Sequence, residues 1–538
     1  MKRAAHGCVA AATPPGIVPL PIVVDRATLL LSLNNSLPLP LDRGPFLRTF
    51  NRLHAGRPLV VTSIGQSNTV GEGGCFGARG CGATPANSRF GWGAAWMAAL
   101  NATWPADHQL FNRGFGASNP HGVTTCLASH LAPHTDILTV DFNLMGWTAP
   151  EQERLSRTVA MMARPPLLVF LGFPYFCPVP DPRVVEEQKR VVQARAPPGK
   201  TINVRLEAER EACRADLRAG RFRQDDAVAE RLSVVARHYG AVQIKLLDTV
   251  APLIRSGHAN FSPPLIFTED GIHGSWKPNR KHPQARSPYY EAIARMLDAF
   301  VREAYAAVER GPGWGRVGSS AVPSQLHAEA GRRFPDTCYE WHHPNMPPPP
   351  VVAGSNVTAT KKSWGWYVSE YTLQAQPRRK PGLLSLVRGD AIDLALAVRA
   401  DGAERGTKIC VGLTFLRSYE GVGAASLSCV APCACDATSL DGLDPRARAS
   451  LFHTTEVAAT VGADAAACVV RLRNLGPSAN ATTGRGASKF RLSGVYVRRS
   501  HSCDEAVTEG WWGLAQNMKH SSGLAKVPEW MMQGKPSS

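Results

Sequence analysis

The sequence of 538 residues has no apolar run long enough to span a bilayer. Val18–Val24 and Ala27–Leu33 are apolar but short or broken, whereas a membrane helix needs about 20 apolar residues. Nucleotide, flavin, magnesium and zinc motifs are also absent, and the scattered basic residues form no nucleic-acid-binding module. We therefore expect no integral membrane span, no cofactor, no metal and no nucleic-acid partner.

Acidic side chains are scarce relative to basic ones. The sequence has 43 Asp and Glu against 60 Lys and Arg, which gives a net charge of +17. Two interpretations stay open: the excess keeps an Arg-rich protein soluble, or it attracts an acidic polymer such as a uronic or sulfated polysaccharide. Charged residues are 19% and hydrophobic residues 44%, which is enough apolar sequence for the buried cores of two or three domains.

The 13 cysteines are many for a cytosolic enzyme. Cys75 and Cys81 flank a Gly-rich loop, and Cys429, Cys433 and Cys435 lie close together in another. Because no second Cys pair and no His pair follows at zinc spacing, we predict disulfides and no metal site. Acceptor tripeptides for N-glycosylation occur at Asn34, Asn101, Asn260, Asn356 and Asn480. We predict a location in the secretory pathway or outside the cell, and we make no prediction of the oligomeric state.

Strand-like and helical segments alternate over the first 310 residues, which predicts an α/β domain with a doubly wound parallel sheet. The predicted strands are Pro58–Ile64, His108–Phe111, Ile137–Phe142, Pro166–Phe173 and Val242–Leu247. From about residue 351 the segments become short and alternating, which predicts a C-terminal β-sandwich-like domain. Its predicted strands are Ile392–Val398, Ile409–Leu416, Ser426–Val430, Cys468–Leu475 and Phe490–Val497. In the last of these, the alternation places Phe490, Leu492 and Tyr496 on one face.

One stretch in the first third carries a candidate nucleophile. Residues 60–71 read Val-Val-Thr-Ser-Ile-Gly-Gln-Ser-Asn-Thr-Val-Gly. The apolar, β-branched start predicts a strand that ends at Gly65, with Ser67 in the following turn. A serine in such a turn lies where an α/β fold can present a hydroxyl to substrate. The alternative is a turn serine that bonds to its own backbone.

A second stretch, residues 267–274, reads Phe-Thr-Glu-Asp-Gly-Ile-His-Gly. The spacing of Asp270 and His273 lets the carboxylate hold one ring nitrogen while the other faces a hydroxyl, and a serine needs such a base to become a nucleophile. The order Ser, Asp, His resembles the SGNH, or GDSL-type, hydrolase superfamily, and Gly-Gln-Ser-Asn resembles the first block of some carbohydrate acetylesterases in it. The resemblance implies a three-layer, flavodoxin-like fold, with Ser67 as nucleophile, His273 as base and Asp270 as its orienting partner.

Residues 112–117 (Asn-Arg-Gly-Phe-Gly-Ala) and 141–146 (Asp-Phe-Asn-Leu-Met-Gly) resemble the middle blocks of the same superfamily. The resemblance implies an oxyanion hole made by the backbone N–H groups of Ser67 and Gly116 and by the side chain of Asn143. The sequence departs from the family at Ala117, where many members have the glycine, and at Met145, which one alignment places at the family's asparagine. Asn143 and Met145 share one face of an extended strand, so a shift of two residues would aim Asn143 inward.

The resemblance covers about residues 57–309. We divide the chain into a Pro-rich lead-in (1–56), an SGNH hydrolase-like domain (57–310), a Gly/Pro-rich linker or strap (311–350), a β-rich accessory domain (351–500) and a tail (501–538). The resemblance implies a serine esterase that cleaves acyl esters, with acetyl favoured, of a polysaccharide or glycoconjugate. Two alternatives stay open: a catalytically weakened glycan-binding or cell-wall-associated protein, and an O-acyltransferase that uses the same site.

Overall fold

The computed structural model describes two folded domains and their contacts. The described residues are 43–70, 91–114, 120–142, 147–173, 182–195, 227–246, 288–310, 337–340, 365–366, 369–373, 376–380, 382–398, 407–444, 450–462, 465–481 and 487–499, with a few isolated positions. None of the helices within these ranges is long and apolar enough to cross a membrane.

The first domain is built on a five-stranded parallel sheet. Its strands are β1 (Val60–Gly65), β2 (Gln109–Asn112), β3 (Ile137–Asp141), β4 (Leu167–Gly172) and β5 (Val242–Lys245). Their spatial order is β2-β1-β3-β4-β5, and all the pairs are parallel. This is the order of the flavodoxin-like fold, so the fold that the SGNH resemblance implies is confirmed.

Helices cover both faces of this sheet. They are α1 (Arg43–His54), α2 (Ser67–Val70), α3 (Trp92–Thr103), α4 (Pro120–Thr125), α5 (Leu127–His130), α6 (Ala149–Ala160), α7 (Pro182–Arg195), α8 (Ala227–His238) and α9 (Pro288–Arg310). On one face α1, α3 and α9 share a core with Val61 and Val169. On the other face α4, α5, α6 and α8 share a core with Leu138 and Phe170. Successive side chains of a strand point to opposite faces, and both faces of β3 and β4 are buried along their whole length, as the all-apolar sequence of β4 predicts.

The second domain is an antiparallel β-sandwich, which confirms the predicted C-terminal fold. Its strands are β6 (Thr337–Glu340), β7 (Gly365–Trp366), β8 (Ser369–Leu373), β9 (Gln376–Lys380), β10 (Leu383–Ser385), β11 (Ala391–Ala397), β12 (Thr407–Arg417), β13 (Gly423–Val430), β14 (Cys433–Ala434), β15 (Thr438–Asp441), β16 (Leu451–Val461), β17 (Ala467–Pro477) and β18 (Phe490–Arg499). One sheet has the order β14-β16-β12-β18-β10-β7, and the facing sheet has the order β11-β17-β13-β15. Both sheets contribute to one apolar core. Strand β6, from the predicted linker or strap, pairs with β18.

The prediction that Phe490, Leu492 and Tyr496 share one face of β18 is wrong. The pairing of β18 with β12 skips Ser493, which is therefore an extra residue in the strand. Such a β-bulge reverses the alternation of side chains beyond it. Val495 accordingly joins Phe490 and Leu492 in the sandwich core, and Tyr496 points toward the first domain.

Disulfides are present, as the cysteine content predicts. Among the residues that the structure describes, three lie within the sandwich domain: Cys410–Cys503, Cys429–Cys435 and Cys433–Cys468. A fourth, Cys126–Cys338, joins the residue after α4 to strand β6 and so links the two domains covalently. Cys75 and Cys81 lie outside the described residues.

Candidate functional site

Ser67 lies just beyond the carboxyl end of β1, the strand between β2 and β3 in the parallel sheet. Strand β1 ends at Gly65, and the backbone of Ser67 opens the short helix α2. Strand β2 lies on one side of β1, and β3 and the later strands lie on the other. The direction in which successive strands are added to the sheet therefore reverses at β1. In open α/β sheets the crevice at such a reversal, outside the carboxyl ends of the strands, is where ligands bind. The backbone of Ser67, the predicted nucleophile, therefore lies at the edge of the sheet where ligands bind in folds of this kind.

Side chains from both neighbouring strands brace the turn that holds Ser67. The Thr69 hydroxyl donates a hydrogen bond of 3.0 Å to Oδ2 of Asp141, the last residue of β3. Nδ2 of Asn112, the last residue of β2, donates to the Thr69 carbonyl at 2.6 Å. The Asn112 side-chain oxygen also accepts from the backbone N–H of Gly114 at 2.9 Å. The serine turn is thus fixed to the ends of β2 and β3.

Gly65 lets β1 and β3 approach closely beneath this turn. A Cβ atom at Gly65 would lie 2.3 Å from Thr69 Oγ1, 2.9 Å from Asp141 Cβ and 2.9 Å from the Asp141 carbonyl oxygen. Real Cβ atoms do not approach other atoms so closely, so any side chain here would displace the groups that hold the turn. A glycine at this position is therefore a requirement of packing.

The residues around the turn are buried. Asp141 and Asn68 have no exposed surface, and Thr69 is 1% exposed. From α9, the Tyr290 hydroxyl donates to Oδ1 of Asn68 at 3.3 Å. Burial raises the pKa of the adjacent Tyr289 well above its usual range, and Tyr290 and Asp141 add to the effect. Electrostatic interactions are strong in such an environment, so the contacts of Thr69 and Asp141 hold the turn firmly.

Sequence reasoning assigned no role to Thr69, Asn112 or Asp141. The signal was present, because Asn112 and Asp141 are the first residues of the two stretches that resemble the family's middle blocks. Each is the last residue of its strand, and the ends of neighbouring parallel strands meet at one edge of the sheet.

The other predicted site residues are Gly116, Asn143, Asp270 and His273, and they lie outside the described residues, as do Ala117 and Met145. For Ser67 the structure describes the backbone position. The roles of all five site residues therefore stay predictions.

One group of potential metal ligands comes together among the residues that the structure describes: Cys410, Glu456 and Cys503. The two cysteines form a disulfide, so neither offers the thiolate that binds zinc. The Glu456 carboxylate accepts hydrogen bonds from Tyr496 and Arg498. The chemistry of this group does not fit a metal site.

No family model matches the chain, and no curated protein matches it. Among solved structures, it is similar to a two-domain esterase (CEX) active on acetylated mannans, with 14% identity and a TM-score of 0.48 over 86% of this chain and 96% of that one. It is also similar to the acetyl xylan esterase Axe2 from Geobacillus stearothermophilus, with 14% identity and a TM-score of 0.26 over 46% of this chain and 96% of that one. A GDSL-like lipase from Parabacteroides merdae matches with 11% identity and a TM-score of 0.26 over 46% of this chain and 96% of that one. We transfer no site residue from matches at this level.

Proposed function

We propose that the chain is a serine esterase that cleaves acyl esters, with acetyl favoured, of a polysaccharide or glycoconjugate through an acyl-enzyme. The observation that carries the proposal is the position of Ser67, two residues after the end of β1, where the strand order reverses at the ligand-binding edge of the sheet. The hydrogen bonds from Asn112 and Thr69 hold this turn in place, which a positioned nucleophile requires.

In the proposed reaction, Ser67 Oγ attacks the ester carbonyl carbon while His273 takes the hydroxyl proton, and Asp270 orients and stabilises the imidazolium. The negative charge that forms on the carbonyl oxygen is stabilised by the N–H groups of Ser67 and Gly116 and by the Asn143 amide. The proton on His273 passes to the leaving alcohol oxygen as the ester C–O bond breaks. A water molecule then attacks the acyl-enzyme by the same route and releases the acid and free Ser67.

The polymeric substrate is supported by the architecture and the charge of the chain. A β-sandwich domain is fastened to the α/β domain by the Cys126–Cys338 disulfide, and a second domain offers binding surface that a small ester does not need. The net charge of +17 would attract a polymer that carries uronic or sulfate groups. Disulfides form in oxidising compartments, which agrees with the proposed secretory or extracellular location.

The first experiment is labelling with a fluorophosphonate, which reacts with an activated serine. We expect the wild-type protein to be labelled at Ser67, and Ser67→Ala to lose both the label and about 10⁴ or more of its kcat on a small aryl acetate. Ser129→Ala is the matched control, because Ser129 is an exposed serine in α5 of the same domain. Labelling that persists in Ser67→Ala would contradict the proposed nucleophile.

The second experiment tests the substrate class. Acetate release from acetylated mannan and acetylated xylan is compared with release from an aryl acetate of equal concentration. We expect a higher kcat/KM for a polymer, since remote contacts contribute binding energy. If the protein binds these polymers but releases no acetate from any ester, the glycan-binding alternative replaces the esterase. The Met145 departure in the third block is the observation that favours this alternative.

A further inference from the structure

Six buried polar side chains meet where the two domains touch, and we call them the interdomain cluster. His121 on α4, with Glu151 and Arg154 on α6, comes from the α/β domain, and Glu456 on β16, with Tyr496 and Arg498 on β18, comes from the sandwich. Each of the six residues is at most 8% exposed. Buried groups of this kind are costly unless they are paired, so their arrangement fixes how the two domains sit together.

The hydrogen bonds of the cluster run from one domain to the other. Arg154 Nη1 is 3.3 Å from Nδ1 of His121. A guanidinium only donates, so Nδ1 accepts and the ring proton lies on Nε2. Nε2 in turn lies 3.3 Å from the Tyr496 hydroxyl oxygen and donates to it. The Tyr496 hydroxyl then donates to Oε1 of Glu456 at 2.8 Å, and Arg498 Nε donates to the same oxygen at 2.6 Å.

Tyr496 reaches the α/β domain because of two features of the sandwich. The bulge at Ser493 turns Tyr496 out of the sandwich core. Gly412 on β12 lies directly opposite Tyr496, and a Cβ atom there would lie 2.0 Å from the tyrosine ring. The ring therefore lies across the glycine, and its hydroxyl is aimed at His121.

The helices that carry the α/β half of the cluster lead out of the two predicted oxyanion blocks. Helix α4 begins four residues after Gly116, and α6 begins six residues after Asn143. The start of α6 is fixed by a capping box, in which Glu151 Oε2 accepts from the Thr148 N–H at 3.0 Å. Arg154, in the second turn of α6, donates to Nδ1 of His121 on α4. The cluster thus ties the beginnings of both helices to one another and to the sandwich.

The interdomain disulfide lies beside the cluster. Cys126 follows α4 directly, and Cys338 lies in β6, where it is the ladder partner of Tyr496. The same short helix is therefore held by a covalent bond at its end and by the His121–Tyr496 contact near its beginning.

We propose that the sandwich domain is part of the catalytic unit: through Tyr496 and the Cys126–Cys338 bond, it positions α4 and α6 and hence the oxyanion donors Gly116 and Asn143. The proposal rests on the proposed esterase function. Oxyanion donors contribute mainly in the transition state, and a misplacement of about 1 Å costs up to 10²-fold in rate. Loosening the interface should therefore lower kcat and leave KM unchanged. Tyr496, His121 and the two cysteines are positioning residues in this scheme.

The first test is Tyr496→Phe in the full-length protein. The variant keeps the ring over Gly412 and removes the hydroxyl between His121 and Glu456. We expect kcat on a small aryl acetate to fall about tenfold to a hundredfold, with KM within about twofold of wild type. Thr414→Val is the matched control, because it removes another buried hydroxyl of the same sheet, paired with Thr454 at 2.9 Å. The control should lose stability and keep its kcat.

The second test removes the interdomain disulfide in the double variant Cys126→Ala, Cys338→Ala. Its control is Cys429→Ala, Cys435→Ala, which removes a disulfide within the sandwich. Rates are divided by the concentration of Ser67 that a fluorophosphonate titrates, so that unfolded protein does not count. We expect kcat per titrated site to fall in the interdomain variant and to stay at the wild-type value in the control.

The outcomes separate this proposal from the proposed function. A wild-type protein that takes no label at Ser67 would overturn the esterase, and with it the positioning role. A labelled wild type, with Tyr496→Phe and the interdomain disulfide variant both at wild-type kcat per site, would leave the esterase standing and overturn the positioning role. A raised KM with unchanged kcat would likewise overturn it, because that result indicates a sandwich domain that only binds substrate.

Discussion

Substitution of Gly65 by alanine tests the close approach of β1 and β3 beneath the serine turn. The new Cβ atom would lie 2.3 Å from Thr69 Oγ1 and 2.9 Å from two atoms of Asp141. Thr69 can rotate its hydroxyl away, but this breaks its 3.0 Å hydrogen bond to the Asp141 carboxyl group. The contacts with Asp141 are relieved only if the ends of the two strands move apart by about half an ångström.

The loss of stability from each response can be given as an order of magnitude. Losing a buried hydrogen bond to a carboxyl group costs about 1.5–3 kcal/mol, and forcing extra volume into a packed site costs about 1–3 kcal/mol. We therefore expect the free energy of unfolding to fall by about 2.5–6 kcal/mol in total. At about 2–4 °C per kcal/mol for a domain of this size, Tm should drop by roughly 5–25 °C. Because the displaced groups hold Ser67, kcat should fall by about 10–100-fold in the protein that remains folded.

The assay measures thermal unfolding together with kcat per fluorophosphonate-titrated site. Gly172→Ala is the matched control, because Gly172 ends strand β4 of the same sheet and a Cβ atom there would lie 3.5 Å from its nearest neighbour, an ordinary contact. The control should keep the Tm within about 2 °C and the kcat of wild type. If Gly65→Ala behaves like Gly172→Ala in both measurements, the turn is not held in the way that the structure indicates.

Three further predictions concern pH and the catalytic groups. Burial, followed by the charge of Arg417, lowers the pKa of His453 to about 4. Between pH 6.5 and 4 the unfolded chain therefore binds more protons than the folded one. The free energy of unfolding should fall by about 3 kcal/mol as the pH drops through that window. Urea unfolding at pH 7 and pH 4.5 should show a smaller loss in His453→Gln, and an equal loss would exclude His453 as the cause. Asn143→Ala should lower kcat about 10²–10³-fold with little change in KM, and wild-type kinetics would remove Asn143 from the oxyanion hole. Asp270→Asn should lower kcat about 10⁴-fold through loss of the support for His273, and a small effect would indicate a different orienting group.

The parallel sheet was predictable because most of its strands contain a short apolar run and alternate with helical segments. Strand β4 (Leu167–Gly172) is buried at every position, and such strands lack alternation for that very reason. The predicted strand boundaries differ from the observed ones by a residue or two, which is the usual uncertainty at element ends.

The sandwich domain was less predictable where its strands bury polar groups. Strand β16 (Leu451–Val461) was not among the predicted strands, although it lies inside its sheet between β14 and β12. Thr454 and Glu456 on this strand are buried and are satisfied by Thr414 and Arg498. Because these partners lie far away in the sequence, the strand shows no regular alternation of polar and apolar residues. A strand that faces another domain through polar contacts is therefore not predicted from its own sequence.

The site was predictable in outline only. The place of Ser67 after a buried strand could be read from local sequence, because Gly65 and the apolar run before it are neighbours. The bracing of Thr69 by Asn112 and Asp141 depends on which strands flank β1, and that order is a property of the whole sheet. The contact of His121 with Tyr496 spans 375 residues and depends on a bulge of one residue.

The bond between Cys126 and Cys338 also has a consequence for biosynthesis. The two cysteines are 212 residues apart, and at about 5–20 residues per second the ribosome needs roughly 10–40 seconds to make the intervening chain. Cys126 cannot form its native bond during this time, whereas Cys429 can meet Cys435, six residues later, almost at once. Correct pairing of Cys126 is therefore a late covalent event, and a chain that ends before residue 338 would carry this thiol without its native partner.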